Sequence, residues 1–118
     1  MIGRFLLAIL LCLCAGAASA HKPSVQECRE AGEFIRNAAL SRDNGLPRET
    51  FMDQLRGDLM AIRGHPPEMR WFAQDPDDEA FLVAAVEKVF DAPAKSTEHE
   101  SEMLRQCLVR IDPSFRTL

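Results

Sequence analysis

The sequence contains no tyrosine and one tryptophan, and beyond residue 20 it has no apolar run of the roughly twenty residues that a membrane-spanning helix needs. Its most apolar stretch there, AFLVAAVEKVF at residues 80 to 90, is eleven residues long and predicts a buried core helix. A glycine-rich phosphate loop and a Gly-x-Ser-x-Gly motif are both missing, and the histidines are scattered. We therefore expect no enzyme and no cofactor, with paired carboxylates as the remaining catalytic alternative.

The first twenty residues have the pattern of a secretory signal peptide. Arg4 provides a positive start, the run from Phe5 to Leu13 is apolar, and Ala18-Ser19-Ala20 supplies small residues at a cleavage site. We therefore expect cleavage after Ala20 and export of residues 21 to 118, as one helical domain, to the periplasm or the medium.

The charge of the exported part limits its partners. It keeps 13 of the 14 Lys and Arg residues, because only Arg4 is lost, and all 18 acidic residues, which gives a net charge of −5. Nucleic acids and anionic membranes favour a basic face. We expect neither as a partner, which leaves another envelope or secreted protein.

The cysteines predict one disulfide bond. Cys12 and Cys14 each follow a leucine, where a lipoprotein cleavage site requires a small residue, so both would leave with the signal peptide. Cys28 and Cys107 remain in a chain sent to an oxidising compartment. Their bridge would close a loop of about 80 residues and stabilise the fold by roughly 4 kcal/mol in the chain-entropy model. Two reduced thiols are the alternative.

Helical spacing of apolar residues predicts four amphipathic helices with short connections. Their expected boundaries are a Ser24/Glu27 capping box, Asn44-Gly45, Pro47, Gly64, Asp75-Pro76, Asp91-Ala92-Pro93, a Thr97/Glu100 capping box and Asp112-Pro113. No strand alternation occurs. We expect an all-α fold, a small antiparallel bundle of about four helices stapled by one disulfide from the first helix to the last.

Two details concern packing within this bundle. The stretch EMRWFAQ at residues 68 to 74 predicts a short helical turn that sets Trp71 or Phe72 against the core. Gly32 and Gly57 lie inside the first two helices, where each costs about 1 kcal/mol relative to alanine. We interpret both glycines as positions where helices approach closely, with simple tolerance as the alternative.

His21 would become the first residue of the exported chain, and an N-terminal histidine can chelate copper through its ring and its amine. His65 or His99 could complete a three-nitrogen site if the fold brought one near. We expect no such site, because His21 lies at a fraying end, His65 lies among prolines in a loop and His99 lies in a solvated acidic run. Copper binding at His21 stays as the alternative.

Other charged clusters have a simple structural explanation. The acidic clusters are Asp75, Asp77, Asp78 and Glu79, and Glu98, Glu100 and Glu102. Both lie where helix N-termini favour carboxylates, and the first lacks the glycine and glutamate of an EF-hand loop. Seven arginines also recur every six to eight residues: Arg29, Arg36, Arg42, Arg48, Arg56, Arg63 and Arg70. This series predicts a solvated face or, alternatively, a partner-binding stripe.

Two stretches of the sequence carry a resemblance to known proteins. The segments ECREAGEFIRNAALSRDNG and VFDAPAKSTEHESEMLRQC, behind a signal peptide, resemble small exported helical proteins of proteobacteria. That group implies no activity. In size, helix content and single end-to-end bridge the chain also resembles the HdeA-like periplasmic acid chaperones, which would imply acid-triggered protein binding.

Three functions follow as hypotheses. The first is a protein-binding or chaperone-like envelope protein, in which acid loosens the bundle and exposes Phe51, Trp71, Phe72 and Phe81. The second is an immunity-type inhibitor of a secreted enzyme, since an acidic protein suits a basic target. The third is a copper-binding or small hydrolytic protein that uses His21 or the carboxylates.

Overall fold

The computed structural model describes residues 21 to 117, and these residues form helices and no strand. The helices are α1 (Val25–Asp43), α2 (Arg48–Arg63), a 3-10 turn (Pro67–Met69), α3 (Pro76–Asp91), α4 (Ser96–Ile111) and a second 3-10 helix (Pro113–Thr117). The all-α, four-helix prediction is confirmed. The predicted signal peptide, with Cys12 and Cys14, lies outside the described residues.

Local sequence determines most of the helix ends. Ser24 and Glu27 form the predicted capping box of α1, and Gly45 adopts a φ of 94° just beyond its end. The capping box predicted at Thr97 is wrong, because α4 begins at Ser96 with Lys95 at its N-cap and no side-chain cap. Tertiary contacts from α1 to the preceding linker, described below, favour the earlier start.

Pairs at the helix ends show the antiparallel arrangement. Cys28 near the start of α1 is bonded to Cys107 near the end of α4, with a Cα–Cα distance of 5.4 Å, so the predicted bridge is confirmed. Arg48 at the start of α2 lies 3.1 Å from Asp91 at the end of α3. These contacts place α1 antiparallel to α4 and α2 antiparallel to α3.

The core is lined on one side by a continuous row of aromatic rings. This aromatic row consists of Phe90, Phe51, Phe34, Trp71, Phe72 and Phe81, with successive ring centroids 5.6 to 6.0 Å apart. Phe72 is fully buried, and Trp71 is half-buried with its indole N–H donating to Glu30 over 2.7 Å. The segment before α3 therefore turns both Trp71 and Phe72 inward, where the sequence predicted one of them.

Arg42 fixes the linker between α3 and α4. Its guanidinium donates to the carbonyl groups of Val89, Ala92 and Ala94 over 2.7 to 3.2 Å. One member of the arginine series is thus a structural residue of the helix connection, because it satisfies carbonyl groups that the end of α3 leaves without helical partners.

The two helical glycines differ in their surroundings. A Cβ at Gly32 would lie 3.4 Å from the backbone oxygen of Glu100 in α4, so the predicted close approach of two helices is confirmed there. A Cβ at Gly57 would meet nothing within 4 Å, because that face of α2 is exposed. The prediction of close approach is therefore wrong for Gly57.

Gly57→Ala is expected to raise the free energy of unfolding by about 1 kcal/mol, because alanine costs less backbone entropy in a helix. Gly32→Ala is the matched control and should gain less, since its new methyl group must fit against Glu100. Urea denaturation of both variants measures the difference. A Gly57→Ala protein no more stable than the wild type would contradict the prediction.

Candidate functional site

A group of polar and charged residues around buried Asp78 joins the chain's first described residue to α3 and α4. This N-terminal cluster consists of His21, Asp75, Asp78 and Arg110. Asp78 has no exposed surface. Its Oδ2 accepts from the His21 Nδ1 over 2.8 Å, and its Oδ1 accepts from an Arg110 Nη2 over 2.7 Å. One carboxylate therefore holds a histidine ring and a guanidinium from opposite ends of the described chain.

The first turn of α3 builds the acidic half of the cluster. Asp75 is the N-cap, and its Oδ1 accepts from the backbone N–H of Asp78 over 2.8 Å, as the capping prediction requires. Its Oδ2 accepts from the backbone N–H of His21 over 3.2 Å. Asp78 also accepts from the backbone N–H of Gln74 over 3.0 Å. Helix capping thus explains Asp75, whereas Asp78 is a buried tertiary contact that the sequence interpretation missed.

Arg110 connects the cluster to the aromatic row. Its guanidinium carbon lies 4.7 Å from the ring centroid of Phe81 and 5.7 Å from that of Phe72. A guanidinium at this distance gains from the negative face of the rings in addition to its ion pair with Asp78. The cluster therefore closes one end of the core.

Hydrogen bonds and an arginine lower the pKa of two carboxyl groups here. The N–H of Asp78, followed by that of His21, holds the pKa of Asp75 below its ordinary 3.8, although partial burial acts the other way. Arg63, whose Nη2 lies 2.6 Å from Glu79, holds the pKa of Glu79 below its ordinary 4.5. Both groups stabilise the fold in their charged form.

Both nitrogens through which His21 would chelate copper face carboxylates, one on Asp75 and one on Asp78. Among residues 21 to 117, no group of three or more His, Cys, Asp or Glu side chains is arranged to hold a metal ion. His65 is exposed in the loop after α2. The structure thus brings carboxylates to His21, and it does not assemble the three-nitrogen copper site.

His99 corrects the sequence interpretation. The acidic run around it predicts a solvated side chain, but His99 is 6% exposed, and its Nε2 donates to the Ala92 carbonyl over 3.1 Å. The reason is that the first turn of α4 packs against the linker that Arg42 holds, and this turns His99 inward. Its neighbours Glu98 and Glu100 remain exposed and half-buried, respectively.

A groove of about 440 Å³ lies between α2 and α3. The residues that line this α2–α3 groove include apolar Leu59, Met60, Pro76, Ala80 and Val83. Met60 is 68% exposed, the largest exposed fraction among the large hydrophobic residues described. Periodicity predicted Leu59 as core, and Leu59 is buried, but no sequence signal indicates that α2 and α3 leave a gap beside Met60.

Arginines lie along the rim of the α2–α3 groove and the cleft that adjoins it. Arg56 and Arg63 line the groove, and Arg63 and Arg70 line the cleft. Arg63 pairs with buried Glu79, while the partner of Arg56 is an exposed Asp53 at 3.5 Å, a kind of pair that stabilises little. Arg70 has no ion pair among residues 21 to 117. Glu79 lines both openings and Asp75 lines the cleft, so the rim carries three arginines and two carboxylates, and Arg56 and Arg70 are the two arginines without a close buried partner.

Comparison with protein-family models, curated proteins and solved structures finds no significant match to this chain. In the part of the chain that the structure describes, no helix is both long and apolar enough to cross a bilayer. The fold and its sites define a disulfide-bridged four-helix domain, with an ion cluster around buried Asp78 at one end and an apolar groove with arginines at its rim along one side.

Proposed function

We propose that this protein is exported and binds another protein through the α2–α3 groove. The observation that carries the proposal is Met60, a large apolar side chain left exposed over an apolar floor, with Arg56 and Arg63 at the rim. In helix-in-groove recognition, an amphipathic helix lays its apolar face into a groove of this kind. Export is supported by the signal pattern of residues 1 to 20 and by the Cys28–Cys107 bridge, since disulfides persist in oxidising compartments.

The chemistry of the groove indicates an acidic, amphipathic helix of another exported protein as the occupant. The floor is long enough along two helices to accept apolar side chains spaced by one helical turn, as in helix-in-groove recognition. Carboxylates of the partner that flank those side chains would pair with Arg56 and Arg70. Within residues 21 to 117, Arg56 has only an exposed ion pair with Asp53, and Arg70 has no ion pair. A basic helix would meet repulsion at the same rim.

A pair of designed peptides tests the proposal. One is a helical peptide with leucines on one face and glutamates beside them, and the other has lysines in place of the glutamates. The acidic peptide should bind at least tenfold more tightly at low salt, and this preference should shrink as salt rises, because rim charges are screened. Calorimetric titration measures both. Equal binding of the two peptides, or binding of neither, would overturn the proposal.

Met60→Asp is expected to weaken binding of the acidic peptide by about tenfold or more, since it removes apolar contact and adds a repelling charge in the groove. Met69→Asp is the matched control, because Met69 has a similar exposed fraction, 66%, but does not line the groove. The same titration compares the two variants with the wild type. An equal loss in both variants would place the peptide elsewhere.

A second candidate function is an acid-opened chaperone, favoured by the contact of Arg110 with the aromatic row. Acid protonates the carboxylates that hold the helix ends together while Arg110 keeps its charge. Loss of the N-terminal cluster would then uncover Phe72 and Phe81, and the disulfide would keep the opened chain compact. Such a chaperone would bind many unfolded clients at low pH, whereas an immunity-type inhibitor would bind one partner at neutral pH.

The free energy of unfolding should fall as the pH drops below about 4.5, the ordinary pKa of Glu79. A carboxyl group whose pKa is lower in the folded chain stabilises the fold above its unfolded pKa. This contribution is lost as the pH falls through the pKa of the folded state. Glu79→Gln should therefore be less stable than the wild type at pH 7 and equally stable near pH 2. Glu33→Gln, at an exposed position on α1, is the control. Urea denaturation across this range gives the profile, and a hydrophobic dye reports opening. Dye binding that does not rise between pH 7 and pH 3 would exclude the acid-opened form.

A further inference from the structure

The backbone nitrogen of His21 lies 3.2 Å from the Oδ2 of Asp75, and the His21 ring lies 2.8 Å from Asp78. This nitrogen belongs to the peptide bond that signal cleavage after Ala20 would break. In the uncut chain it is a neutral amide donor. After hydrolysis of the Ala20–His21 bond, which adds water and leaves a carboxylate on Ala20, the same nitrogen is an ammonium group.

We propose that signal removal completes the N-terminal cluster, because it converts the His21 nitrogen into a cation that pairs with Asp75. This inference rests on the export and cleavage that the proposed function includes. Cleavage would then stabilise the fold as well as separate the domain from its signal peptide. The processed protein would have a higher free energy of unfolding than the same domain with residues ahead of His21.

The surroundings of His21 support a charged amine at this position. Asp75 is the N-cap of α3, and only one of its oxygens is used by the helix, so Oδ2 is directed at His21. Arg110 and the His21 ring are both held by Asp78, which leaves the Asp75 carboxylate without a cationic side chain within hydrogen-bonding distance in residues 21 to 117. A charge-assisted hydrogen bond is about twice as strong as the neutral one that it would replace.

The ring of His21 orients the amine. Its Nδ1 bond to Asp78 and the burial of Pro23 hold the chain ahead of α1 against the start of α3. The nitrogen is therefore placed before cleavage, and pairing requires no rearrangement of the chain. His21 is thereby given a role that differs from copper chelation, since both of its nitrogens serve as donors to carboxylates.

Two versions of the processed domain test this inference, one beginning at His21 and one with a single glycine ahead of it. Both are released from a fusion by a site-specific protease and checked by mass, which also shows the disulfide. The glycine turns the His21 nitrogen into an amide and moves the ammonium one residue away. Urea denaturation at pH 7 should give a folding equilibrium constant about five to ten times larger for the version that begins at His21.

Asp75→Asn, introduced into both versions, completes a thermodynamic cycle between the N-terminal nitrogen and Asp75. Asparagine caps a helix as well as aspartate does, so this change removes the charge and keeps the cap. The difference between the two N-termini should shrink to less than twofold in the Asp75→Asn background. Equal stability of the two parent versions, or a difference that persists with Asp75→Asn, would overturn the inference.

The proposed function is tested separately from this cycle. The mass of the protein exported from the full-length precursor shows whether its first residue is His21, and the peptide titration shows whether the groove binds. A different first residue would refute cleavage at this bond even if the two versions differ in stability. A protein that begins at His21 but binds no acidic peptide would refute the groove and leave the cluster inference standing.

Discussion

Asp78→Ala is expected to lower the free energy of unfolding at pH 7 by about 3 kcal/mol or more, because removing one partner of a buried ion pair leaves the others uncompensated. Asp78 has no exposed surface and accepts from His21, Gln74 and Arg110. Its loss would leave the Arg110 side chain, which is only 20% exposed, without its carboxylate. The N-terminal cluster would lose its centre.

Asp77→Ala is the matched control for this prediction. Asp77 precedes Asp78 in the first turn of α3 but is exposed, so its replacement should change stability by no more than about 0.5 kcal/mol. Chemical denaturation of both variants gives the comparison. Equal effects at the two positions would contradict the assignment of Asp78 as the centre of the cluster.

Arg110→Met extends the test to a double-mutant cycle. Replacing both members of a buried pair by apolar groups is often close to neutral, whereas breaking the pair is costly. The double variant Asp78→Ala/Arg110→Met should therefore be more stable than the sum of the two single losses predicts, by about 1 kcal/mol or more. Additive losses would show that Asp78 acts through His21 and the backbone alone.

Removing the disulfide should have an effect of similar size. Cys28→Ala/Cys107→Ala is expected to lower the free energy of unfolding by about 4 kcal/mol, since the bridge closes a loop between residues 79 positions apart. A domain of this size has about 5 to 15 kcal/mol in total, so this loss is a large fraction of the free energy of unfolding and should lower the melting temperature clearly. Both cysteines are replaced together so that no free thiol remains.

Denaturation by urea separates the entropic cause from a packing defect. Without the bridge the unfolded chain is more extended and exposes more surface, so the dependence of stability on urea should steepen in the double variant. Reduction of the wild type should give the same midpoint as the alanine variant. A loss below about 1 kcal/mol would contradict the loop-closure account.

The helices and the bridge could be predicted from the sequence because their causes are local or few in number. Capping residues such as Ser24 and Asp75 act within one turn, and Gly45 marks the end of α1 through its own backbone. With two cysteines beyond residue 20, only one pairing exists. Such signals do not depend on how the helices pack.

The candidate sites depend on packing, and the sequence therefore described them poorly. Asp78 looks like any acidic residue in a first helical turn, and its burial follows from the position of Arg110, 32 residues later. Arg42 belongs to a regular arginine series, yet its role comes from the linker more than 45 residues away. The gap beside Met60 arises from the distance between α2 and α3. The residue pattern of either helix alone does not determine this distance.

Thr97 shows how a tertiary contact can override a local signal. Its sequence has the form of a capping box, but α4 begins at Ser96. The linker ahead of it is held by Arg42, and the His99 ring donates to Ala92 at the same place. The helix therefore starts where these contacts hold the backbone, and the Thr97 hydroxyl is not used as its cap.

The position of Trp71 allows intrinsic fluorescence to report on the folded state. The sequence has no tyrosine and no second tryptophan, so ultraviolet-excited emission at long wavelength comes from one indole. That indole lies between the rings of Phe34 and Phe72 and donates to Glu30. Its emission colour therefore reports whether α1 and the segment ahead of α3 are still joined, and separation at this junction would appear as a red shift without any attached label.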